Sequence, residues 1–185
     1  MTLREPPLAG RALGLAKEHG FERSSIPEVG RLLHVLAAGR GRTRVAEVGT
    51  GYGAGTAWIA SALPPGVPLV TVELDAERAA AAADLFRDDP DVHVLAGDWR
   101  ELLPPEAPFD LLFLDGGHWK RQPEQDGEAA VGLLAPGGTI LVDDFTPGRP
   151  GPDPARRFIL EHADLVAVEL LTTPESAALV GVRRR

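Results

Sequence analysis

The sequence predicts an α/β fold, a doubly wound and mostly parallel sheet that ends in an antiparallel hairpin. Short apolar runs rich in β-branched residues recur from about residue 45, helical stretches separate the first five of them, and the last two are joined only by TTPES. Near-continuous apolar strands spaced by helices indicate a parallel sheet covered on both faces. Five residues cannot carry a parallel crossover, which needs a dozen or more, so the last pair must be antiparallel.

Each element has its own signal. In PEVGRLLHVLAAG, Val29, Leu32, Leu33 and Leu36 fall on one helical stripe, so one or two helices lead into the sheet. RVAEV (44–48) is the first strand, and EVGTGYGAGT (47–56) turns it into the helix TAWIASAL. LVTVEL (69–74) is the second strand; Asp75 then caps AERAAAAADLFRD, with Glu77 in its first turn. VHVL (92–95) and FDLLFLD (109–115) are the third and fourth strands, and EQDGEAAVGLL is a helix ending at APGG. GTILVDD (138–144) is the fifth strand, and Asp153 before Pro154 starts the helix PARRFILEH. DLVAVELL and AALVGV form the closing hairpin. With no internal repeat and no long linker, residues 1–185 read as one domain: a helical region over 1–40 and a sheet core over 41–185.

Composition excludes several functions. Without cysteine there is no thiolate catalysis, zinc-thiolate site or disulfide. A formal charge of −8 argues against broad attraction to nucleic acid phosphates. No apolar run approaches the ~20 residues of a membrane span, and the N-terminal stretch lacks the apolar core of a secretory signal. The expectation is a cytoplasmic protein with a small-molecule partner, no nucleic acid and no membrane.

Gly49, Gly51, Gly53 and Gly55 alternate at a strand-to-helix turn, where a ligand can lie against the backbone. GTGYGA also satisfies the dinucleotide pattern G-x-G-x-x-G/A, and Glu73 lies where a ribose-binding carboxylate is expected, so a nicotinamide-dependent oxidoreductase is one reading. Glu47, two residues before the first glycine, would repel a pyrophosphate but suits a ligand bearing an ammonium group.

SIPEVGRLLHVLA, EVGTGYGAGT, VTVELD, LAGDW, FLDGGHWK and LVDDF after APGG together carry a resemblance. Over roughly residues 25–182 the chain resembles class I S-adenosylmethionine-dependent methyltransferases, and within them the catechol and caffeoyl-CoA O-methyltransferase group. The resemblance implies a Rossmann-like seven-stranded sheet with its last strand antiparallel, S-adenosylmethionine as cofactor, a catechol-like hydroxyl acceptor, and a homodimer. By position, Glu47, Gly49, Gly51, Gly53 and Gly55 would contact the methionine part. Glu73 would accept from the ribose hydroxyls and Asp98 from the adenine amino group, with Trp99 against the ring and Asp115 shared between the cofactor and metal sets.

That group holds a divalent cation with an Asp after strand four and an Asp-Asn pair after strand five. The matching residues are Asp115, Asp143 and Asp144, with a carboxylate where the family has an amide. An all-oxygen set favours Mg²⁺ or another hard divalent ion; the plain alternative is that Asp143 and Asp144 start the turn DDFTPG. The family's general base is a lysine three positions beyond the first Asp. His118 stands there, whereas Lys120 belongs to HWK, a triplet that directly follows the Asp in the catechol enzyme, so both are candidate bases. A metal-independent methyltransferase using His118 alone and a non-catalytic cofactor-binding protein stay open. TPGRPGPDPARR is expected on the substrate side, where its shortness suggests an open site or one completed by the first 25 residues or by a partner subunit. Trp58 is expected in the core, and His19, His34, His93 and His162 have no assigned role.

Overall fold

The computed structural model describes residues 5–185. Helices α1 (Pro7–Glu18) and α2 (Pro27–Ala37) precede β1 (Val45–Val48), α3 (Ala54–Ala60), β2 (Leu69–Glu73), α4 (Ala76–Phe86) and β3 (Val92–Ala96). There follow α5 (Trp99–Leu102), β4 (Phe109–Leu114), α6 (Pro123–Gly132), β5 (Leu134–Phe145), α7 (Pro154–Glu161), β6 (Leu165–Leu171) and β7 (Ala177–Arg183). The strands form one sheet in the order β3-β2-β1-β4-β5-β7-β6. The first five are parallel, β7 is antiparallel to β5, and β6 and β7 pair as an antiparallel hairpin. Chain order therefore reverses at β1 and β4, and the carboxyl ends of those strands are where such sheets bind ligands.

Helices cover both faces. Ala9 and Ala12 of α1, Val29 and Leu33 of α2, and Trp58 and Ile59 of α3 pack with Val45, Leu111, Phe113 and Leu141 on one side. Ala130 and Val131 of α6 and Ala155 and Ile159 of α7 pack with Ala46, Leu112, Leu114, Ile140 and Val142 on the other. Each fully buried leucine or valine contributes about 2 kcal/mol of apolar burial. This double cover explains why the central strands read as continuous apolar runs rather than alternating ones. Trp58 lies in the core, as expected. Among the described residues no helix is long and apolar enough to cross a membrane.

Local signals explain the helix starts. The Asp75 carboxylate accepts from the Glu77 and Arg78 backbone N–H groups, both at 3.0 Å, and Asp153 accepts from Arg156 N at 3.1 Å. One boundary differs from expectation: α6 stops at Gly132, and APGG already belongs to β5. Gly138 is required there, because a Cβ would lie 2.8 Å from the Phe109 carbonyl oxygen on the neighbouring strand. Further along β5, pairing with β7 shifts register between Val142 and Phe145. Asp144 in that gap has φ 65°, the only positive φ of a non-glycine residue among those described.

Candidate active site

A cavity of about 730 Å³ opens at the carboxyl ends of β1, β2 and β4. Glu73, Asp98, Trp99, Asp115, His118 and Asp144 line it together with residues 49–52. The parallel register brings them together, since Val48 sits beside both Val72 and Leu114, and Leu114 beside Val142.

The four glycines divide into two pairs. Gly49 and Gly51 line the cavity with φ 94° and 55°, left-handed values that favour glycine. Gly53 and Gly55 do not line it, so the sequence expectation that all four contact a ligand is corrected. A Cβ on Gly53 would lie 2.6 Å from the Phe86 ring, and one on Gly55 would lie 2.2 Å from Glu47 Oε1. Packing against the layer beneath demands those two glycines.

Glu47 also stands apart from the cavity. It is fully buried under α3, where its Oε2 accepts from the Thr56 hydroxyl and, at 2.7 Å, from the Thr71 hydroxyl, while Oε1 has no hydrogen-bond partner. Burial pushes its pKa up to about 7, against the pull of those two hydroxyls. Glu47 thus supports the loop from below and presents no atom to the cavity wall.

Glu73 does face the cavity. Its Oε2 accepts from Gly51 N at 2.8 Å and its Oε1 from Asp75 N at 3.0 Å, with the Arg78 guanidinium 3.2 Å away. The carboxylate ties the glycine loop to the end of β2 and keeps lone pairs for further donors. Asp98 caps α5 through Arg100 N, and the Arg100 side chain grips both its oxygens, lowering its pKa. Arg100 reaches on to Asp126, a buried carboxylate of α6, at 3.3 Å.

At the other end, Asp115, Asp143 and Asp144 each offer a carboxylate oxygen within 4.8 Å of the others. Burial, then repulsion from Asp143 and Asp144, holds the Asp115 pKa well above the ordinary carboxylate range. Burial raises Asp143 to about 6, and its Oδ1 is buried with no partner. An orphaned buried oxygen beside two further carboxylates suits a hard divalent cation.

The two candidate bases separate. His118 is exposed and lines the cavity. Lys120 does not line it: its ammonium donates to the carbonyl oxygens of Asp143 at 2.6 Å and Asp144 at 2.7 Å, and lies 4.2 Å from the centre of the Phe145 ring. Burial lowers its pKa despite the neighbouring carboxylates.

The sequence pointed to the first 25 residues only in general terms, and the structure names them. Phe21, Arg23, Ser24 and Ser25 form one wall. Phe21 lies edge-on to Tyr52 at 5.4 Å between ring centres, with the Arg23 and Arg78 guanidinium groups 5.6 and 5.5 Å from its own ring. TPGRPGPDPARR, expected on the substrate side, does not line the cavity. Arg156 binds the Thr146 carbonyl oxygen and pairs with Glu169, which holds this segment against β6. Arg100, Asp126, Thr56 and Thr71 carry no motif of their own in the sequence; Arg100 joins Asp98 to Asp126, and the two threonines donate to Glu47.

Residues 46–145 match the family described as methyltransferase domain. Inferred O-methyltransferases of Mycobacterium bovis and Mycobacterium marinum are 32% and 33% identical over 159 residues, covering 80% of this chain and 70% of each relative. The fold matches the O-methyltransferase TomG of Streptomyces achromogenes, solved with S-adenosylmethionine (TM-score 0.81, 23% identity, 100% of this chain and 93% of that one). It also matches the Bacillus cereus O-methyltransferase solved with S-adenosylhomocysteine (TM-score 0.82, 22% identity, 100% and 94%). With the matched domain spanning the glycine loop, Glu73, Asp98 and the three carboxylates, the chain belongs to the class I S-adenosylmethionine-dependent methyltransferase family.

Proposed function

We propose that the protein methylates a hydroxyl of a small acceptor with two adjacent oxygens, such as a catechol, with the help of a divalent cation held by Asp115, Asp143 and Asp144. One observation carries this reading: three carboxylates converge within 4.8 Å at the cavity edge, one of them with a buried, unpartnered oxygen. The O-methyltransferase relatives agree with the transferred group.

When bound, S-adenosylmethionine supplies a methyl group on a sulfonium, and the cation supplies positive charge that makes a hydroxyl easier to deprotonate. The chain's own residues provide alignment and the proton sink. Glu73 receives the ribose hydroxyls and Asp98 the adenine amino group, with Trp99 beside the ring; Gly49 and Gly51 permit close approach at the methionine end. Asp115, Asp143 and Asp144 would hold the cation beside the acceptor's hydroxyl. His118, which lines the cavity, takes the hydroxyl proton on a ring nitrogen, so that the oxygen attacks as an anion. Positioning dominates because displacement at a sulfonium needs an in-line nucleophile rather than a covalent intermediate.

Calorimetric titration with S-adenosylmethionine, followed by a catechol panel assayed with Mg²⁺ and with EDTA, tests the reading. Full turnover in EDTA would remove the metal from it, and turnover of single-hydroxyl acceptors at equal rates would remove the vicinal oxygens.

A further inference from the structure

Asp143 and Asp144 are neighbours in a strand, and neighbours in a regular strand point to opposite faces of the sheet. Both nevertheless bring an oxygen to within 4.8 Å of Asp115. Two features break the alternation. The register with β7 slips between Val142 and Phe145, and Asp144 takes a left-handed φ of 65°. A bulge of this kind re-aims side chains, but it removes backbone groups from the ladder, and a left-handed residue other than glycine is disfavoured unless its surroundings hold it.

The group that holds it comes from another element. The Lys120 ammonium donates to the carbonyl oxygens of both Asp143 and Asp144, at 2.6 and 2.7 Å, and rests against the Phe145 ring that ends the bulge. With two of its three donors committed to backbone and no place on the cavity wall, Lys120 is badly sited to take a proton from an acceptor.

We infer that Lys120 is a positioning residue: it cross-braces the β5 bulge, so that Asp143 and Asp144 face Asp115 as one cation site. The inference rests on the metal reading proposed above. It gives the lysine of HWK a task distinct from proton transfer, which falls to His118.

The test compares wild type with Lys120→Met and Lys120→Arg by calorimetric titration with Mn²⁺, alongside pH profiles of kcat/KM at saturating Mn²⁺. Lys120→Met should bind Mn²⁺ about tenfold or more weakly, the usual cost of losing a group that orients metal ligands. Excess Mn²⁺ should restore most of its kcat, and the fall of kcat/KM on the low-pH side should persist. Lys120→Arg, which can still donate to two carbonyls, should bind more tightly than the Met variant. Equal Mn²⁺ affinity in wild type and both variants would overturn the brace alone. Loss of kcat at saturating Mn²⁺ together with loss of that low-pH fall would make Lys120 the base and overturn it too. A wild type that binds no Mn²⁺ would overturn the metal reading and this role with it. Melting temperatures of all three proteins separate a binding defect from a fold that has come apart, and an unfolded Met variant leaves the Arg variant to decide.

Discussion

The Ser25 hydroxyl donates to Asp115 Oδ2 over 3.1 Å, joining the segment ahead of α2 to the end of β4 across 90 residues of sequence. Ser25 is buried in the cavity wall, and the link fixes one of the two Asp115 oxygens. Ser25→Ala should therefore raise the KM for the acceptor and weaken Mg²⁺ binding severalfold, with a stability loss of about 1 kcal/mol. Calorimetry with Mg²⁺ and urea unfolding check the two parts separately. Unchanged cation affinity would mean that the hydroxyl merely fills space.

Asp144→Ala removes one carboxylate from the cluster but leaves the cofactor end untouched. Activity should fall by about a hundredfold or more at ordinary Mg²⁺, while S-adenosylmethionine affinity stays within about threefold of wild type. Asp144→Asn keeps an oxygen ligand and restores the pairing seen in the catechol group, so it should retain most of the activity. Steady-state kinetics across a Mg²⁺ series, with cofactor affinity measured apart, would expose a shared loss if the carboxylate served only the fold.

The buried Glu47 carboxyl makes stability depend on pH. Its pKa is about 7 in the folded chain against an ordinary 4.5, so the folded state binds the proton more tightly than the unfolded one. Its favourable contribution is complete below about 4.5 and is lost as pH rises through about 7. Wild type should therefore lose on the order of 3 kcal/mol relative to Glu47→Gln between pH 4.5 and 8, at about 1.4 kcal/mol per pH unit of displacement. Urea midpoints at four pH values would show this, and a constant difference would contradict a proton on Glu47.

Gly55→Ala tests the packing role of the second glycine pair. The new Cβ would meet Glu47 Oε1 at 2.2 Å and the Phe113 ring at 2.9 Å, so overpacking should cost about 1–3 kcal/mol. Gly14→Ala in α1 meets nothing within 4 Å and should be neutral or mildly stabilising. Thermal melts of the pair decide, and equal melting temperatures would refute the crowding at Gly55.

Much of the architecture was readable because its causes are local. Asp75 caps α4 by binding N–H groups two and three residues on, and the closing hairpin follows from a five-residue connection. The three carboxylates were readable for a related reason, since adjacent parallel strands must bring their ends together. What escaped depended on direction or on distant partners. A strand buried on both faces carries no alternation to show which way Glu47 points. The role of Lys120 depends on a register slip between β5 and β7, and the reach of Arg100 beyond neighbouring Asp98 to Asp126 depends on a partner in another helix. TPGRPGPDPARR had the composition of an open substrate loop, yet one arginine bound to a carbonyl and a glutamate holds it elsewhere.

Gly49 meets Gly116 backbone to backbone, so close that a Cβ on Gly49 would sit 2.9 Å from Gly116 N. No side chain cushions the junction between the loop that would hold the methionine and the strand end that carries Asp115. Order imposed on one edge should pass to the other with little slack, so that donor and acceptor affinities are expected to be coupled, which titrating acceptor with and without S-adenosylhomocysteine measures. Whatever factor the methyl donor adds to acceptor affinity, the acceptor must return to the donor.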